Sequence, residues 1–369
     1  MKFCFFGNIS GALKGKTQGG AELQIALLAK ALALKGHEVV IVDPYSNESF
    51  VTNEGVKLIN VPEWNKGIKV FRLFWNRLPA LKRIFLEQKA DYYYGRMRTY
   101  FHFLSYKASR RLKTKFILGI AHDVDVVSIR EKLKYQYSDN FNFFNYFTLD
   151  LINDLVFHYL IKRADYITIQ HSGQVMPHAT RGKVVLFPNI FDDSNLPVIK
   201  NPSREFYIHV GTLTIIKGIR NLYQLAGILD KSCTLVIVGD AGDKKSRSIL
   251  EKFYKNQNVV FKGRLSHSET MRLIANAKAL INTSNYEGFP NIFLEAWATG
   301  VPVISLNVNP GNVFDQYQLG ACCHGDLDKM KKYIESGDVS KLNTEELTGY
   351  VSKFHGFATA ADRFLHLLN

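Results

Sequence analysis

The stretch that decides the fold is EGFPNIFLEAWATGVPVIS, residues 287–305. Gly-Phe-Pro-Asn predicts a turn, the next residues predict a helix, and 301–305 predicts a buried strand. Glu287 lies in the turn that opens the helix, and Glu295 lies on the helix itself. Carboxylates accept paired sugar hydroxyls, and the N–H groups at a helix N-terminus attract anions. One short segment therefore combines hydroxyl acceptors with phosphate donors, which is what a nucleotide-sugar requires.

The residues around the two glutamates make this pattern specific. Two glutamates eight positions apart are common and could be solvated residues of an ordinary helix. Gly-Phe-Pro-Asn between them and Ala-x-Ala-x-Gly-x-Pro-Val-Ile after them are much rarer. Together they resemble the signature of the retaining glycosyltransferases of family four. That resemblance implies an α/β protein of the GT-B fold, in which two Rossmann-like, doubly wound domains face each other across a cleft.

Length and composition agree with a two-domain α/β protein. The chain has 369 residues, and 46% of them are hydrophobic, which is enough for two cores. Its four cysteines are scattered and show no metal-ligand spacing, which favours a reducing cytoplasm. No run of apolar residues is long enough to span a bilayer.

The net charge of +14 is concentrated in the first half of the chain. Residues 1–195 hold 27 Lys and Arg against 17 Asp and Glu, whereas the remainder holds 20 against 16. An excess of this kind suggests an anionic membrane surface, an acidic substrate or nucleic acid as partner. No recognised nucleic-acid-binding module is present, so we expect no nucleic-acid partner.

Buried apolar runs alternate with helical patterns along the chain. This rhythm predicts a parallel sheet in each half, with ligands at the carboxyl ends of the strands. We expect domains at 1–195 and 196–343, and a helical tail at 344–369 that packs back towards the first domain. Helices are also expected from 20 to about 35, with Leu34 on its apolar face, and over 128–163. The predicted strands are 2–6, 39–42, 91–94, 116–120, 166–170, 184–187, 206–210, 235–238, 259–262, 279–282 and 301–305.

The glycine-rich loop after the first strand is better explained by sugar-nucleotide binding than by ATP binding. Gly11 and Gly15 precede Lys16-Thr17, but only three residues separate these glycines, whereas a P-loop needs four. Gly19-Gly20-Ala-Glu22 instead resembles a family-four segment, where glycines let backbone N–H groups approach the donor diphosphate. The alternative is that the two glycines only make a turn.

A second loop, His209-Val-Gly-Thr-Leu-Thr-Ile-Ile-Lys217-Gly218, resembles the family loop that places cations on the diphosphate. The resemblance implies that Lys217 stabilises charge on the leaving nucleoside diphosphate. At Thr212, however, the family usually carries arginine, so one of the two cations is missing. Candidates to replace it are Lys262, Arg264, Arg96 and Arg98.

The resemblance implies the remaining roles. His122, after the strand at 116–120, would contact the transferred sugar from the acceptor side, and Asp123 has a weaker claim. Glu287 would hold sugar hydroxyls and Glu295 the ribose hydroxyls. The catalytic residues would thus be Glu287, Lys217 and His122, and the donor-binding residues Glu295, Gly19, Gly20, Pro290, Asn291, Ile292, Phe293, Arg264, Leu265 and Thr212. Neither a metal, a cofactor nor a side-chain nucleophile is expected.

These features predict a retaining, hexosyltransferase-type enzyme that uses a nucleoside-diphosphate sugar. Its acceptor would be a lipid-linked saccharide or an envelope polysaccharide precursor. Two other classes remain open: a sugar-nucleotide epimerase of the same fold, and a non-catalytic protein that binds nucleotide or membrane. The departure at Thr212 is what keeps the non-catalytic class open.

Two basic stretches of the first half predict attachment to the inner face of an anionic membrane. Residues 66–89 interleave aromatic side chains with cations, and residues 107–115 add five more cations. The alternative is an ordinary amphipathic helix with a solvated basic face. Pro79 is expected to split the first stretch, because proline removes a helical hydrogen bond.

Overall fold

The chain folds into two compact units. The structure is a computed structural model that describes residues 1–16, 19–68, 71–127, 150–194, 196–197, 199, 201–253 and 256–368. Unit 1 comprises residues 1–190 together with 357–369, and unit 2 comprises residues 191–356. The boundary thus falls between residues 190 and 191, close to the predicted division after residue 195.

Unit 1 is built on an eight-stranded sheet in the order β3-β4-β2-β1-β5-β6-β7-β8. All neighbouring strands are parallel except β3, which runs antiparallel to β4. The strands are β1 (Lys2–Phe6), β2 (Glu38–Asp43), β3 (Phe50–Val51), β4 (Lys57–Asn60), β5 (Tyr92–Gly95), β6 (Lys115–Gly119), β7 (Tyr166–Ile169) and β8 (Lys183–Leu186). The chain order reverses between β1 and β5, which makes that point the topological switch of the sheet.

Helices cover both faces of the first sheet. They are α1 (Ser10–Leu13), α2 (Gly20–Leu34), α3 (Leu78–Gln88), α4 (His102–Leu112), α5 (Leu151–Ile161) and the C-terminal Ala360–Leu368. One core packs α2 and the C-terminal helix against side chains such as Phe5 and Tyr94. The other packs α3, α4 and α5 against side chains such as Phe6 and Tyr93. Successive strand residues point to opposite faces, so a single sheet supports both cores.

Unit 2 is a six-stranded, wholly parallel sheet in the order β11-β10-β9-β12-β13-β14. Its strands are β9 (Tyr207–Val210), β10 (Leu235–Val238), β11 (Val259–Gly263), β12 (Leu280–Asn282), β13 (Val303–Ser305) and β14 (Gly320–Cys322). This is the doubly wound order of dinucleotide-binding sheets, and its switch point lies between β9 and β12. A ligand is therefore expected beside the loops that leave these two strands.

The helices of unit 2 alternate with its strands, as right-handed crossovers require. They are α6 (Ile219–Ile228), α7 (Lys244–Phe253), α8 (His267–Asn276), α9 (Asn291–Ala298), α10 (Val313–Gln316), α11 (Leu327–Ser336) and α12 (Thr344–His355); the C-terminal helix of unit 1 is α13. α9 and α12 share one core, in which Trp297 is fully buried. This packing fixes the helix that carries Glu295.

Each of the eleven predicted strands corresponds to a strand of the structure. β3, β4 and β14, of two to four residues, were not predicted. The prediction that Leu34 lies on the apolar face of α2 was wrong, because its side chain is exposed at the end of the helix. The predicted helix over 128–163 is confirmed only as α5, since residues 128–149 lie outside the described part.

The predicted C-terminal tail is divided between the two units. Residues 344–355 form α12, whose Leu347 and Val351 are buried in the core of unit 2. Residues 360–368 form α13, whose Phe364 and Leu368 are buried in the core of unit 1. Only the second segment therefore packs with the first domain, because each helix follows its own apolar stripe.

Pro79 does not split the segment in which it lies. A π-helical turn, Leu73–Arg77, runs directly into α3, and Pro79 occupies the first turn of that helix. Proline lacks the N–H of a regular helical turn and clashes with the carbonyl four residues earlier. A locally wider turn accommodates both effects, so the helical path continues from 73 to 88.

Candidate functional site

Two loops join at the switch point of unit 2. The loop after β9 carries Lys217, and the loop after β12 carries Glu287. Asn285 N–H donates to the Ile216 carbonyl at 3.0 Å, and the Thr283 hydroxyl donates to the Gly218 carbonyl at 3.1 Å. These bonds fasten one loop to the other.

Gly218 is needed for this close approach. Its φ of 75° is in the left-handed region, and a Cβ on it would lie 1.8 Å from the Thr283 carbonyl oxygen. Any other residue would push the two loops apart. The glycine of the Lys-Gly pair therefore positions Lys217 beside the second loop.

Lys217 and Glu287 form an ion pair across the two loops. The Glu287 carboxylate also accepts a hydrogen bond from the Ser284 hydroxyl at 2.9 Å. Glu287 is largely buried, whereas Lys217 remains partly exposed. The structure thus brings together two residues that the sequence placed 70 positions apart. A ligand with both hydroxyl and phosphate groups could bind to this pair.

Glu295 is partly buried on α9 and has a different environment from Glu287. Among the described residues, none donates a hydrogen bond to its carboxylate or forms an ion pair with it. Burial raises the pKa of the Glu295 carboxyl to about 7. Desolvation acts in this direction because it disfavours the charged form. A carboxylate placed this way gains free energy when a ligand supplies hydroxyl donors.

The backbone of 290–293 offers fewer donors than the sequence analysis assigned to it. Pro290, the N-cap of α9, has no N–H and cannot donate to a diphosphate. Phe293 N–H already donates to the Pro290 carbonyl at 3.1 Å, and its ring is buried in the core. Both residues are corrected to structural roles, while Asn291 and Ile292 stay as candidates at the helix N-terminus.

His209 is a residue of the site that the sequence analysis did not select. It lies near the end of β9, and its Nδ1 lies 3.0 Å from the Ile281 carbonyl, so Nδ1 carries the proton. Its Nε2 is buried without a hydrogen-bond partner among the described residues. Burial, against the opposing hydrogen bond to Ile281, lowers the pKa of His209 to about 4; the Lys217 charge contributes to this lowering and the Glu287 charge opposes it. The sequence feature that could have indicated His209 is its place near the end of a predicted strand, two residues before Gly211.

Among the described residues, none of the four cations proposed to replace the arginine missing at Thr212 pairs with Glu287. Thr212 is exposed at the carboxyl end of β9. Arg264 and Lys262 are exposed at the end of β11, and Leu265 packs against the core of unit 2. Arg96 and Arg98 instead lie in unit 1. There Arg96 donates to Asn189 at 2.6 Å and Arg98 pairs with Asp154 at 2.6 Å.

The glycine pair of unit 1 stands at the start of α2, beside the switch point of that sheet. Gly19 is the N-cap of this 15-residue helix, and Gly20 is its first residue. Both are exposed. A Cβ on Gly19 would lie 2.3 Å from a carboxylate oxygen of Glu22, so the small residue allows Glu22 to fold back over the helix N-terminus.

His122 caps the short helix that follows β6. Its Nδ1 accepts a hydrogen bond from Val124 N–H at 3.1 Å, and the Asp125 carboxylate accepts from His122 N–H at 2.9 Å. Because Nδ1 is an acceptor, the proton of the neutral ring is on Nε2, which can donate to a ligand. Asp123 has another role, since it accepts from His171 and Gln174, each at 2.9 Å.

Comparison with known proteins shows what the chain is similar to. Residues 194–336 match the family model described as glycosyl transferases group 1. One subunit of the phosphatidylinositol N-acetylglucosaminyltransferase of Arabidopsis thaliana is 24% identical over 371 residues, covering 94% of this chain and 77% of the relative. Residues 194–336 are therefore similar to the group 1 glycosyl transferases, and most of the chain is similar to this relative.

Solved structures establish the fold of the chain. A sucrose-phosphate synthase of Thermosynechococcus elongatus superposes with a TM-score of 0.76 at 17% identity, covering 100% of this chain and 98% of that one. HepE of Anabaena, solved in complex with UDP-glucose, gives 0.70 at 15% identity, with 100% and 99% covered. The predicted GT-B fold is thus confirmed. Among the described residues, no helix is both long and apolar enough to cross a membrane.

Proposed function

We propose that this protein is a retaining, hexosyltransferase-type enzyme of family four. It moves a sugar from a nucleoside-diphosphate sugar to a lipid-linked saccharide or an envelope polysaccharide precursor. The observation that carries the proposal is the Lys217–Glu287 pair at the switch point, followed by α9 with the unpaired carboxyl of Glu295. This set offers one cation for a phosphate and two carboxylates for hydroxyls.

In the proposed reaction, the bond between the anomeric carbon and the diphosphate breaks, and negative charge develops on the leaving phosphate. Lys217 stabilises that charge, because a positioned cation acts most strongly where charge forms. Glu287 holds both Lys217 and hydroxyls of the transferred sugar. The acceptor oxygen bonds to the anomeric carbon, and its proton passes to the leaving phosphate, so the proposal needs no side-chain nucleophile. No metal or cofactor is part of it.

Glu295 would accept the two ribose hydroxyls of the donor. Its raised pKa is consistent with this role, because a buried carboxyl without partners gains two donors when the nucleotide binds. Gly19, Gly20, Asn291 and Ile292 would supply N–H groups to the diphosphate. On the acceptor side, His122 would donate from Nε2 to a hydroxyl of the transferred sugar.

The lipid-linked class of acceptor is supported by the relatives. The Arabidopsis relative is named for phosphatidylinositol, and a structurally similar protein, WaaG, is described as involved in lipopolysaccharide biosynthesis. We propose the same class here, with the enzyme in the cytoplasm and peripheral on the inner face of the membrane.

A thermal-shift panel of UDP-, GDP- and ADP-sugars tests the proposal. A donor that binds only the native state raises its stability by about 2.7 kcal/mol at a hundredfold excess over Kd. We expect one nucleotide class to raise the Tm of the wild type but not of Glu295→Ala. If no nucleotide-sugar shifts the Tm, the assignment of the site is wrong.

A turnover assay of the bound donor then separates the two other classes. Transfer only in the presence of a glycan or glycolipid acceptor supports the proposal. Conversion of the donor without any acceptor indicates a sugar-nucleotide epimerase. Binding without turnover, with every acceptor class supplied, indicates a non-catalytic protein, for which the exposed Thr212 is the structural argument.

A further inference from the structure

Unit 1 carries a surface on which exposed aromatic side chains and cations lie together. Ile68, Phe71, Phe74 and Trp75 are 67%, 47%, 66% and 70% exposed. Among the described residues, every exposed phenylalanine or tryptophan lies in this short stretch. Single exposed apolar residues are normal, but such a concentration marks a binding surface.

The turn that precedes α3 explains why these rings face solvent. Phe74 and Trp75 lie in the π-helical turn that leads to Pro79. The next helix buries Leu81, Ile84 and Phe85 instead, so its apolar stripe satisfies the core. Phe71 and Trp75 stack on each other, with ring centroids 4.9 Å apart and an angle of 15° between the planes. The pair is therefore a preformed apolar projection, not a loose loop.

Several cations around the rings have no carboxylate partner among the described residues. Residues 64–86 contain neither Asp nor Glu. Arg72 and Arg77 donate to neutral oxygens, at 3.0 Å to the Gly67 carbonyl and 3.1 Å to the Trp64 carbonyl. Among the described residues, no carboxylate pairs with Lys82 either. Two cations of the stretch do have partners: Lys66 pairs with Glu63 at 2.6 Å, and Arg83 lies 3.9 Å from Glu87. The electrostatic potential at this surface is therefore positive.

A groove extends the same surface along α3. It has a volume of ≈ 490 Å³ and is lined by Pro79, Lys82, Arg83, Leu86, Glu87 and Lys89. Its apolar floor between basic side chains suits an amphiphile whose headgroup is anionic. We call the whole area, residues 66–68 and 71–89, the aromatic-cationic face.

We infer that the aromatic-cationic face docks on an anionic lipid bilayer, with Phe74 and Trp75 inserted at the headgroup level. Tryptophan favours this depth of a membrane, and each neighbouring cation adds electrostatic attraction to anionic lipids. A second copy of the chain is a poorer occupant, because a two-fold contact would set this positive face against itself. The inference deepens the proposed function, on which it rests for the lipid nature of the acceptor.

The structure also narrows the membrane contact that the sequence predicted. In the stretch 107–115, Arg110 pairs with Asp165, and Lys115 lies 3.8 Å from the same carboxylate. Part of that charge is therefore neutralised within the protein. Of the two predicted stretches, only 66–89 combines exposed aromatic side chains with cations that have no carboxylate partner among the described residues. We therefore expect only this stretch to insert side chains into the bilayer.

Vesicle flotation of the full chain tests the inference. The probes are vesicles of phosphatidylcholine with phosphatidylglycerol, and vesicles of phosphatidylcholine alone. We expect binding to the anionic vesicles that weakens with salt, and a loss of about tenfold or more in Phe74→Ser/Trp75→Ser. The matched control is Leu34→Ser/Val51→Ser, because these side chains of unit 1 are 61% and 64% exposed on other surfaces. It should bind like the wild type.

A second pair of variants separates the face from net charge. Lys82→Gln/Arg83→Gln and Lys329→Gln/Lys332→Gln remove the same charge, the latter from α11 in unit 2. Only the first pair should weaken vesicle binding. Absence of binding at low salt, equal losses in both pairs, or full binding by the Phe74/Trp75 variant would each overturn the inference. So would a dimer in sedimentation velocity that the Phe74/Trp75 variant dissociates. Nucleotide-induced Tm shifts of the same variants report separately on the proposed function.

Discussion

The candidate residues of the two units are organised in opposite ways. In unit 2, Lys217 and Glu287 contact each other, and the loops that hold them are hydrogen-bonded at one switch point. In unit 1, His122 is bonded to its own backbone turn, and Gly19 stands at the start of another helix. One unit presents a constructed polar site, whereas the other presents separate groups and a large basic, aromatic surface.

Under the proposed function, this difference assigns donor binding to unit 2 and attachment at the membrane to unit 1. A nucleotide-sugar is small and rich in polar groups, so it calls for a fixed constellation of side chains. The proposed lipid-linked acceptor lies at a membrane, and a broad surface contributes more to holding a protein there than a few bonds do. Changes in unit 2 should therefore affect donor binding and turnover, whereas changes in the aromatic-cationic face should affect vesicle binding.

The largest expected effect comes from Lys217. Lys217→Ala removes the cation proposed to stabilise the leaving phosphate and leaves the buried Glu287 carboxylate without its ion-pair partner. We expect kcat to fall by about a hundredfold or more, while vesicle binding is unchanged. Lys332→Ala, an exposed lysine of the same unit, should have the wild-type rate. Near-normal turnover by Lys217→Ala would mean that the diphosphate binds elsewhere.

The next effect concerns Glu295. Glu295→Gln keeps the shape of the side chain but removes the charge that would accept ribose hydroxyls, and such bonds contribute roughly 1.5–3 kcal/mol each. Calorimetric titration should show a loss of donor affinity greater than about tenfold. Glu346→Gln, on the exposed surface of unit 2, is the control. Equal donor affinities of the wild type and Glu295→Gln would show that Glu295 does not accept the ribose hydroxyls.

The raised pKa of Glu295 gives the same prediction a pH signature. The carboxylate must be charged to accept two hydroxyls, so the nucleotide-sugar identified in the thermal-shift panel should bind the wild type more tightly as pH rises through about 7. Glu295→Gln should show a flat profile. The stability effect has the opposite sign. The unfolded chain loses this proton first, so wild-type stability falls as pH rises from the ordinary carboxyl range through about 7. Above that pH the variant should be more stable, by up to about 2–3 kcal/mol.

The smallest expected effect tests the departure at Thr212. The side chain is exposed, so Thr212→Arg introduces no steric conflict in the core. We expect unchanged or modestly higher turnover, because a second cation would add to the stabilisation of the leaving phosphate. Thr212→Gln provides a neutral side chain for comparison. If the arginine variant loses activity while the glutamine variant retains it, a positive charge near this loop is unfavourable and the comparison with the family loop fails.

The sequence predicted the sheets of both units and missed the contacts between loops. Buried apolar runs identify β9 and β12 directly, but the meeting of Lys217 with Glu287 depends on backbone packing between Gly218 and Thr283. No local pattern encodes such a contact. His209 was missed for a related reason, since its unpartnered Nε2 is visible only once Ile281 is placed beside it.

In unit 1, the local sequence pattern predicted a basic, aromatic segment but not which of its side chains are exposed. The sequence showed that residues 66–89 are basic and aromatic, but not which rings are exposed. Leu81 and Phe85 are buried, while Phe74 and Trp75 are exposed, and the division depends on the wider turn before Pro79. A period read from a regular helix cannot anticipate that turn.

The return of α13 to unit 1 has a consequence for recombination. Unit 2 is one continuous stretch, residues 191–356, set within a discontinuous unit 1. Exchange of unit 2 between homologues thus takes two crossovers, at 190/191 and 356/357. A single crossover would also replace α13 with that of the other protein. Phe364 would then be replaced where its ring meets Phe3, Tyr94 and Phe187, at centroid distances of 6.2, 6.1 and 5.1 Å. Chimaeras with two junctions should therefore fold more readily than those with one.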